Sequence, residues 1–135
     1  MNTNNVGTVI VRVILGLTFF IHGLTKFQGG IENVVGYFES LGIFGFAAYI
    51  VALIELIGGI MMILGIGTRI ISILFACTML GAIFTVKFSA GFLGNGQTPG
   101  YEFELALLAM SVFLAITNNS HFSLGNILFR SKTED

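Results

Sequence analysis

Eight ionisable side chains lie in or against apolar runs long enough to cross a bilayer: Arg12, His22, Lys26, Glu55, Arg69, Lys87, Glu102 and Glu104. A charge at the centre of a membrane costs roughly 2.5–3.5 kcal/mol on insertion scales. Such groups persist where they face a protein interior, pair with one another, or do chemistry. Carboxylates, an imidazole and ammonium groups held together in a dry site suit hydrogen bonding to a small polar head group and the exchange of protons with it. Arg12, His22, Lys26, Glu55, Lys87 and Glu102 form the candidate ligand-binding cluster, with His22 and Glu55 the candidate catalytic residues.

Their depths follow from helix geometry. With 1.5 Å of rise per residue, Arg12 falls roughly 9 Å inside the first apolar run, and Glu55 falls near the middle of the second, which runs the opposite way. An arginine side chain spans the difference, so the spacing predicts an Arg12–Glu55 ion pair, direct or through one polar intermediate. His22 and Lys26 are one turn apart on the same face of the first run, with Arg12 within about 80° of His22. Lys87 ends the third run, and Glu102 and Glu104 begin the fourth, where they complement the helix dipole. These two glutamates point about 200° apart, so at most one of them faces the bundle centre; Glu102 is the preferred one. Arg69, between the second and third runs, reads as a topology determinant.

The elements that position these groups must be membrane helices. The chain has 135 residues, 55% hydrophobic and only 10% charged, with a mean hydropathy of +0.93. A soluble domain carries about 25% charged residues, so the lipid bilayer is the main solvent here. A net charge of −1 excludes a nucleic-acid footprint, which needs a basic face. The single cysteine, Cys77, allows no internal disulfide and no Cys-x-x-Cys dithiol, and reads as a small apolar side chain. The two histidines, His22 and His121, fall at opposite ends of the bundle and cannot share a haem iron. No other cluster suggests a metal, and no covalent cofactor is implied.

Each span needs about 20 mostly apolar residues. Four runs qualify, at about 6–26, 46–66, 69–87 and 101–118. The predicted architecture is an all-α membrane protein: one domain over residues 1–135, a four-transmembrane-helix bundle with a short interfacial amphipathic helix at about 31–42 between the first two spans. In that helix Ile31, Val34, Val35, Phe38 and Leu41 recur at helical spacing while Glu32 and Glu39 lie elsewhere on the wheel. Gly67, Thr68 and Arg69 join spans two and three into an antiparallel hairpin. Residues 88–100, with four glycines and the sole proline, are a loop, and residues 1–5 and 131–135 are tails. The glycines at 16, 23, 58, 59, 65 and 81 read as packing notches. No cleavable signal peptide is recognised. Arg69, Arg130 and Lys132 against Lys26 and Lys87 favour cytoplasmic termini in a multi-pass membrane protein.

These residues resemble the DoxX family of small bacterial membrane proteins over most of the chain. RVILGLTFFIHGLTKF in the first span is similar to that family's arginine, His-Gly and lysine pattern. ELIGGIMMILGIGTR is similar to its glutamate-rooted glycine-rich segment and following arginine. KFSAGFLGNGQTPGYEFEL resembles its lysine, Gly-Phe and Gly-Tyr-Glu arrangement. HFSLGN resembles its Ser-Leu-Asp close, with Gly125 where aspartate is usual. The resemblance implies a four-helix membrane bundle and membership of quinone-linked oxidoreductase or membrane stress-response complexes.

Three readings of function follow. In the first, the cluster binds a quinone or quinol head group: His22 or Glu55 hydrogen-bonds a ring oxygen, and Lys26 or Lys87 stabilises its anionic form. Phe19, Phe20, Phe88 and Phe92 are then candidate ring contacts. The sequence has no dithiol, dinucleotide motif or metal ligand set, so the electrons need a partner redox protein. In the second, Arg12, Glu55, His22 and Lys87 line a path for protons or a small molecule, with a homo-oligomer supplying the width. In the third, the charges only hold together a membrane anchor or assembly subunit.

Overall fold

Lipid offers no hydrogen-bond partner to an exposed backbone, so chain that crosses it closes its bonds within a helix. The computed structural model describes residues 3–117 together with Ser123, Gly125 and Ile127. Among the described residues it is helical, with no strand beyond an isolated bridge between Gly94 and Pro99. The order is α1 (Thr3–Gln28), α2 (Ile31–Ser40), α3 (Phe46–Leu64), α4 (Thr68–Ala82) and α5 (Glu102–Ile116). After α4 the same rod continues through a π-helical turn (Ile83–Lys87) and a 3₁₀ turn (Phe88–Ala90). His121, Arg130, Lys132 and residues 1, 2 and 131–135 lie outside the described residues.

Three helices are long and apolar enough to cross a membrane: Thr3–Gln28, Phe46–Leu64 and Thr68–Ala90. The fourth run gives a helix of 15 residues, about 22 Å at 1.5 Å per residue, short of a hydrocarbon core about 30 Å thick. At the other terminus the expected tail of residues 1–5 is helical from Thr3, because Asn4 and Asn5 extend α1 by a turn. The amphipathic segment between the first two spans is the short α2, with no fully buried residue.

The packing is inverted relative to a water-soluble bundle. Ile10, Ile14, Ile21, Ile57, Ile70 and Phe84 point outward, whereas Thr8, Arg12, Glu55, Ser72, Glu104 and Ser111 are buried. The core is made by Leu15, Phe19, Met62, Ile71, Phe75, Met79, Leu107 and Leu114. At its centre Phe19 and Phe75 stack with centroids 3.8 Å apart. Buried hydroxyls close on their own helix: Ser72 donates to the Thr68 carbonyl and Ser111 to the Leu107 carbonyl.

α1 packs against α3, and α4 against α5. The α1–α3 contact brings backbone against backbone. A Cβ on Gly59 would stand 2.6 Å from Phe20 N and 2.7 Å from Gly16 O, and one on Gly23 would stand 2.6 Å from Leu56 N. Only glycine permits backbones this close in the low-friction solvent of lipid, where dispersion and shape hold helices together. The α3–α4 turn starts at Gly65, left-handed at φ 75°, with its amide donating to Met62 O and the next to Met61 O. Near this turn α3 and α4 touch closely, Gly58 lying against the Phe75 ring. Beyond this contact α3 and α4, together with α2, line a cavity.

The glycine contact yields a stability test. Gly59→Val drives two methyls into the α1 backbone and is expected to lower unfolding free energy in detergent by about 3 kcal/mol, the upper range for overpacking. Gly7→Ala, where a Cβ meets nothing within 4 Å, is expected to raise it by roughly 0.4–1 kcal/mol. Equal effects would show that the α1–α3 approach is not close.

Candidate functional site

The register that the glycines impose decides which charges meet. α1 and α3 run antiparallel, with Gly16 at Gly59 and Gly23 at Leu56. One turn beyond Gly23, the Lys26 Nζ reaches down and donates to Glu55 Oε2 at 2.5 Å. Glu55 is only 4% exposed. At the opposite end Arg12, 1% exposed, places its guanidinium beside Gly65. That is ten residues from Glu55, or about 15 Å along α3. The expected Arg12–Glu55 pair therefore does not form, and Lys26 takes the carboxylate. The depth count from helix ends went astray because the helices are staggered: the middle of α3 faces the last third of α1.

A second ion pair sits beside the first. Lys87 Nζ lies 3.0 Å from Glu104 Oε1. The wide π turn that ends with Lys87 carries this lysine round to the side that Met79 and Ile83 bury; such turns recur at functional positions. Glu104, in the first turn of α5, faces inward on the stripe continued by Leu107, Ser111 and Leu114, and Glu102 is exposed. This corrects the choice of Glu102. The sequence pointed the two glutamates to opposite faces but could not choose between them, because the apolar residues of α5 are spread around its axis.

Two cavities meet at these pairs. The larger, about 480 Å³, is lined by α2, α3 and α4. Tyr37 and Phe38 of α2 with Leu41 just after it, Ala47 and Val51 of α3, and Cys77, Thr78 and Val86 of the α4 rod supply its mostly apolar walls. Its charged end is Lys26, Glu55 and Lys87. The smaller, about 140 Å³, is lined by Phe19, His22, Lys26, Glu55, Phe103 and Glu104, among others. Lys26, Glu55, Met79 and Ala82 line both, so the Lys26–Glu55 pair is part of the wall between them. His22 is exposed and rests on Phe103, ring centroids 5.6 Å apart.

Of the six sequence candidates, the structure gathers His22, Lys26, Glu55 and Lys87. Arg12 sits at the other end and Glu102 faces outward. Among the aromatic candidates, Phe19 lines the small cavity and Phe20 backs onto Gly59. Phe88 and Phe92 instead pack on Tyr101, at 6.4 and 5.7 Å between centroids. Tyr37 and the π turn are not among the residues singled out from the sequence, whereas Glu104 is weighed there and Glu102 preferred to it. Tyr37 was open to detection, since it neighbours Phe38 on a segment already read as amphipathic; the π turn left no recognisable trace in the sequence.

A family model described as DoxX matches residues 7–88. The chain is 46% identical over 127 residues to the Bacillus subtilis protein named "Putative oxidoreductase CatD", covering 94% of this chain and 90% of that one. It is 29% identical over 135 residues to the "Uncharacterized membrane protein Rv3486" of Mycobacterium tuberculosis, covering 93% and 83% respectively. No solved structure matches it.

The pairing can be tested by a double-mutant cycle. Lys26→Met strands Glu55 in an apolar site and is expected to cost about 3–5 kcal/mol of unfolding free energy in detergent. Lys26→Met with Glu55→Met together is expected to recover most of that loss. A double variant as unstable as the single would show that the two groups are not partners.

Proposed function

The chain belongs to the DoxX family of membrane proteins, and from that premise we propose that it binds a quinone or quinol in the cavity between α2, α3 and α4, as the ligand-holding subunit of a membrane redox system. The carrying observation is the shape and polarity of that cavity. It is about 480 Å³, within the range of small-molecule sites, which are apolar with a few convergent polar groups. Its walls suit a flat ring and an apolar tail, and its charged end offers both an acceptor, Glu55, and donors, Lys26 and Lys87.

The residues fit such a ligand. Glu55 accepts a hydrogen bond from a ring hydroxyl, while the Lys26 ammonium holds the carboxylate in place or donates to a ring carbonyl. Lys87, 21% exposed at its side chain and anchored by Glu104, adds positive charge at the same end. A bound quinone supplies two-electron, two-proton redox chemistry, and the electrons belong to a partner redox protein. The similarity to a protein named as an oxidoreductase supports this reading.

Four spans in a bacterial plasma membrane accompany it. α5 begins beside Lys87 at one end of the bundle, and Ser123 packs against Gly65 at the other, which supports a fourth crossing. Cytoplasmic termini then put the Lys26–Glu55 end toward the outer leaflet, with α2 in the interface as its roof and the opening between α3 and α4 facing lipid.

Cys77 lines the cavity and is exposed, so it reports occupancy. A short-tailed menaquinone analogue is expected to slow maleimide labelling of Cys77 in nanodiscs at least tenfold. Glu55→Gln or Ala47→Phe is expected to raise the analogue concentration required by tenfold or more. Labelling that ignores the analogue would refute quinone binding there, and solute flux into proteoliposomes would then favour transport.

A further inference from the structure

The smaller cavity is not needed to hold a ring, yet a buried carboxylate on its wall is only half satisfied among the described residues. Glu104 is 8% exposed. Its Oε1 meets Lys87, but its buried Oε2 has no hydrogen-bond partner among the described residues. A buried charged acceptor left without a donor costs several kcal/mol. The same residue lines a cavity of about 140 Å³, and a water occupies about 30 Å³ of the liquid. Space, an orphaned acceptor and further polar groups on the same wall are what buried water requires.

The cavity has two neighbours. On one side the Lys26–Glu55 pair separates it from the ligand cavity. On the other His22, exposed and leaning on Phe103, stands at its edge. α1 is about 39 Å long at 1.5 Å per residue, longer than a hydrocarbon core of about 30 Å. His22, six residues before the end of α1, thus lies near the head-group boundary.

We propose that this cavity is a hydrated proton-transfer chamber, in which Glu104 Oε2 and His22 pass protons between bulk water and the Glu55 end of the ligand cavity. A proton leaving a ligand hydroxyl lands on the Glu55 carboxylate and loosens its pairing with Lys26. It then crosses by chamber water to Glu104 or directly to the His22 imidazole, and His22 releases it to the aqueous face. Every step moves one proton and no electron. The titratable groups facing the route are His22 and Lys26 from α1, Glu55 from α3, Lys87 from the π turn and Glu104 from α5. The service to a ligand rests on the quinone reading above; the wetness of the chamber does not.

Two measurements on the full chain in nanodiscs separate these parts. Phe19 is 1% exposed and lines the chamber, whereas its stacking partner Phe75 is 0% exposed and does not. X-ray radiolysis of water should oxidise Phe19 at least tenfold more than Phe75, and His22→Phe, which plugs the edge, should cut the Phe19 yield at least threefold. Equal yields would mean a dry cavity and overturn the proposal. Next, an alkyl-tailed 4-nitrophenol serves as a coloured analogue of the quinol, its protonation followed after a bulk pH jump. Relaxation of the bound dye is expected to slow at least tenfold in Glu104→Gln and in His22→Phe, with affinity within threefold of the parent. Unchanged relaxation, or slow relaxation with lost affinity, would overturn the relay. Failure of both the dye and the menaquinone analogue to bind the parent protein would defeat the ligand reading and the relay with it, while the Phe19 yield still decides whether the chamber is wet.

Discussion

The close approach of α1 and α3 through Gly16, Gly59 and Gly23 is the constraint on which the remaining geometry depends. Backbone against backbone leaves no freedom to slide: a shift of one residue would set a Cβ into a main-chain atom. That fixed stagger, and not the ends of the helices, carries Lys26 to Glu55 and leaves Arg12 beside Gly65. α3 and α4 in turn touch at Gly58 and Phe75. Beyond that contact lies the larger cavity, lined by α2, α3 and α4.

Charge pairing then turns an expensive feature into a usable one. Lys26–Glu55 and Lys87–Glu104 give each of two carboxylates inside an apolar bundle a lysine partner. A buried pair is poor as a source of net stability, because desolvation offsets much of the attraction. At the boundary of two cavities the Lys26–Glu55 pair holds an acceptor and a donor at the end of an apolar pocket.

Much of this is legible in the sequence. Apolar run length gave the spans that Thr3–Gln28, Phe46–Leu64 and Thr68–Ala90 fulfil, and the helical spacing of Val34, Val35 and Phe38 gave α2. The grouping of His22, Lys26, Glu55 and Lys87 at one end followed from depth alone. Pairing did not, because it depends on stagger. The glycines that set the stagger were visible as notches, but nothing in the sequence says which notch meets which. Glu104 was passed over for Glu102 because both stripes of α5 are apolar. The close of the chain has a local answer too: where the resemblance leads one to expect aspartate, a Cβ on Gly125 would stand 2.7 Å from the Gly65 carbonyl, so this packing requires glycine.

The most direct measurement is a solid-state NMR distance in lipid between the Nζ of Lys26 and the side-chain carboxyl carbon of Glu55, with ¹⁵N on lysine and arginine and ¹³C on glutamate. A strong dipolar coupling that disappears in Lys26→Met is the expected result, as befits an N···O separation of 2.5 Å. Coupling of the Glu55 carbon to the guanidinium of Arg12, or to no nitrogen at all, would mean a different stagger and would contradict the site built on it.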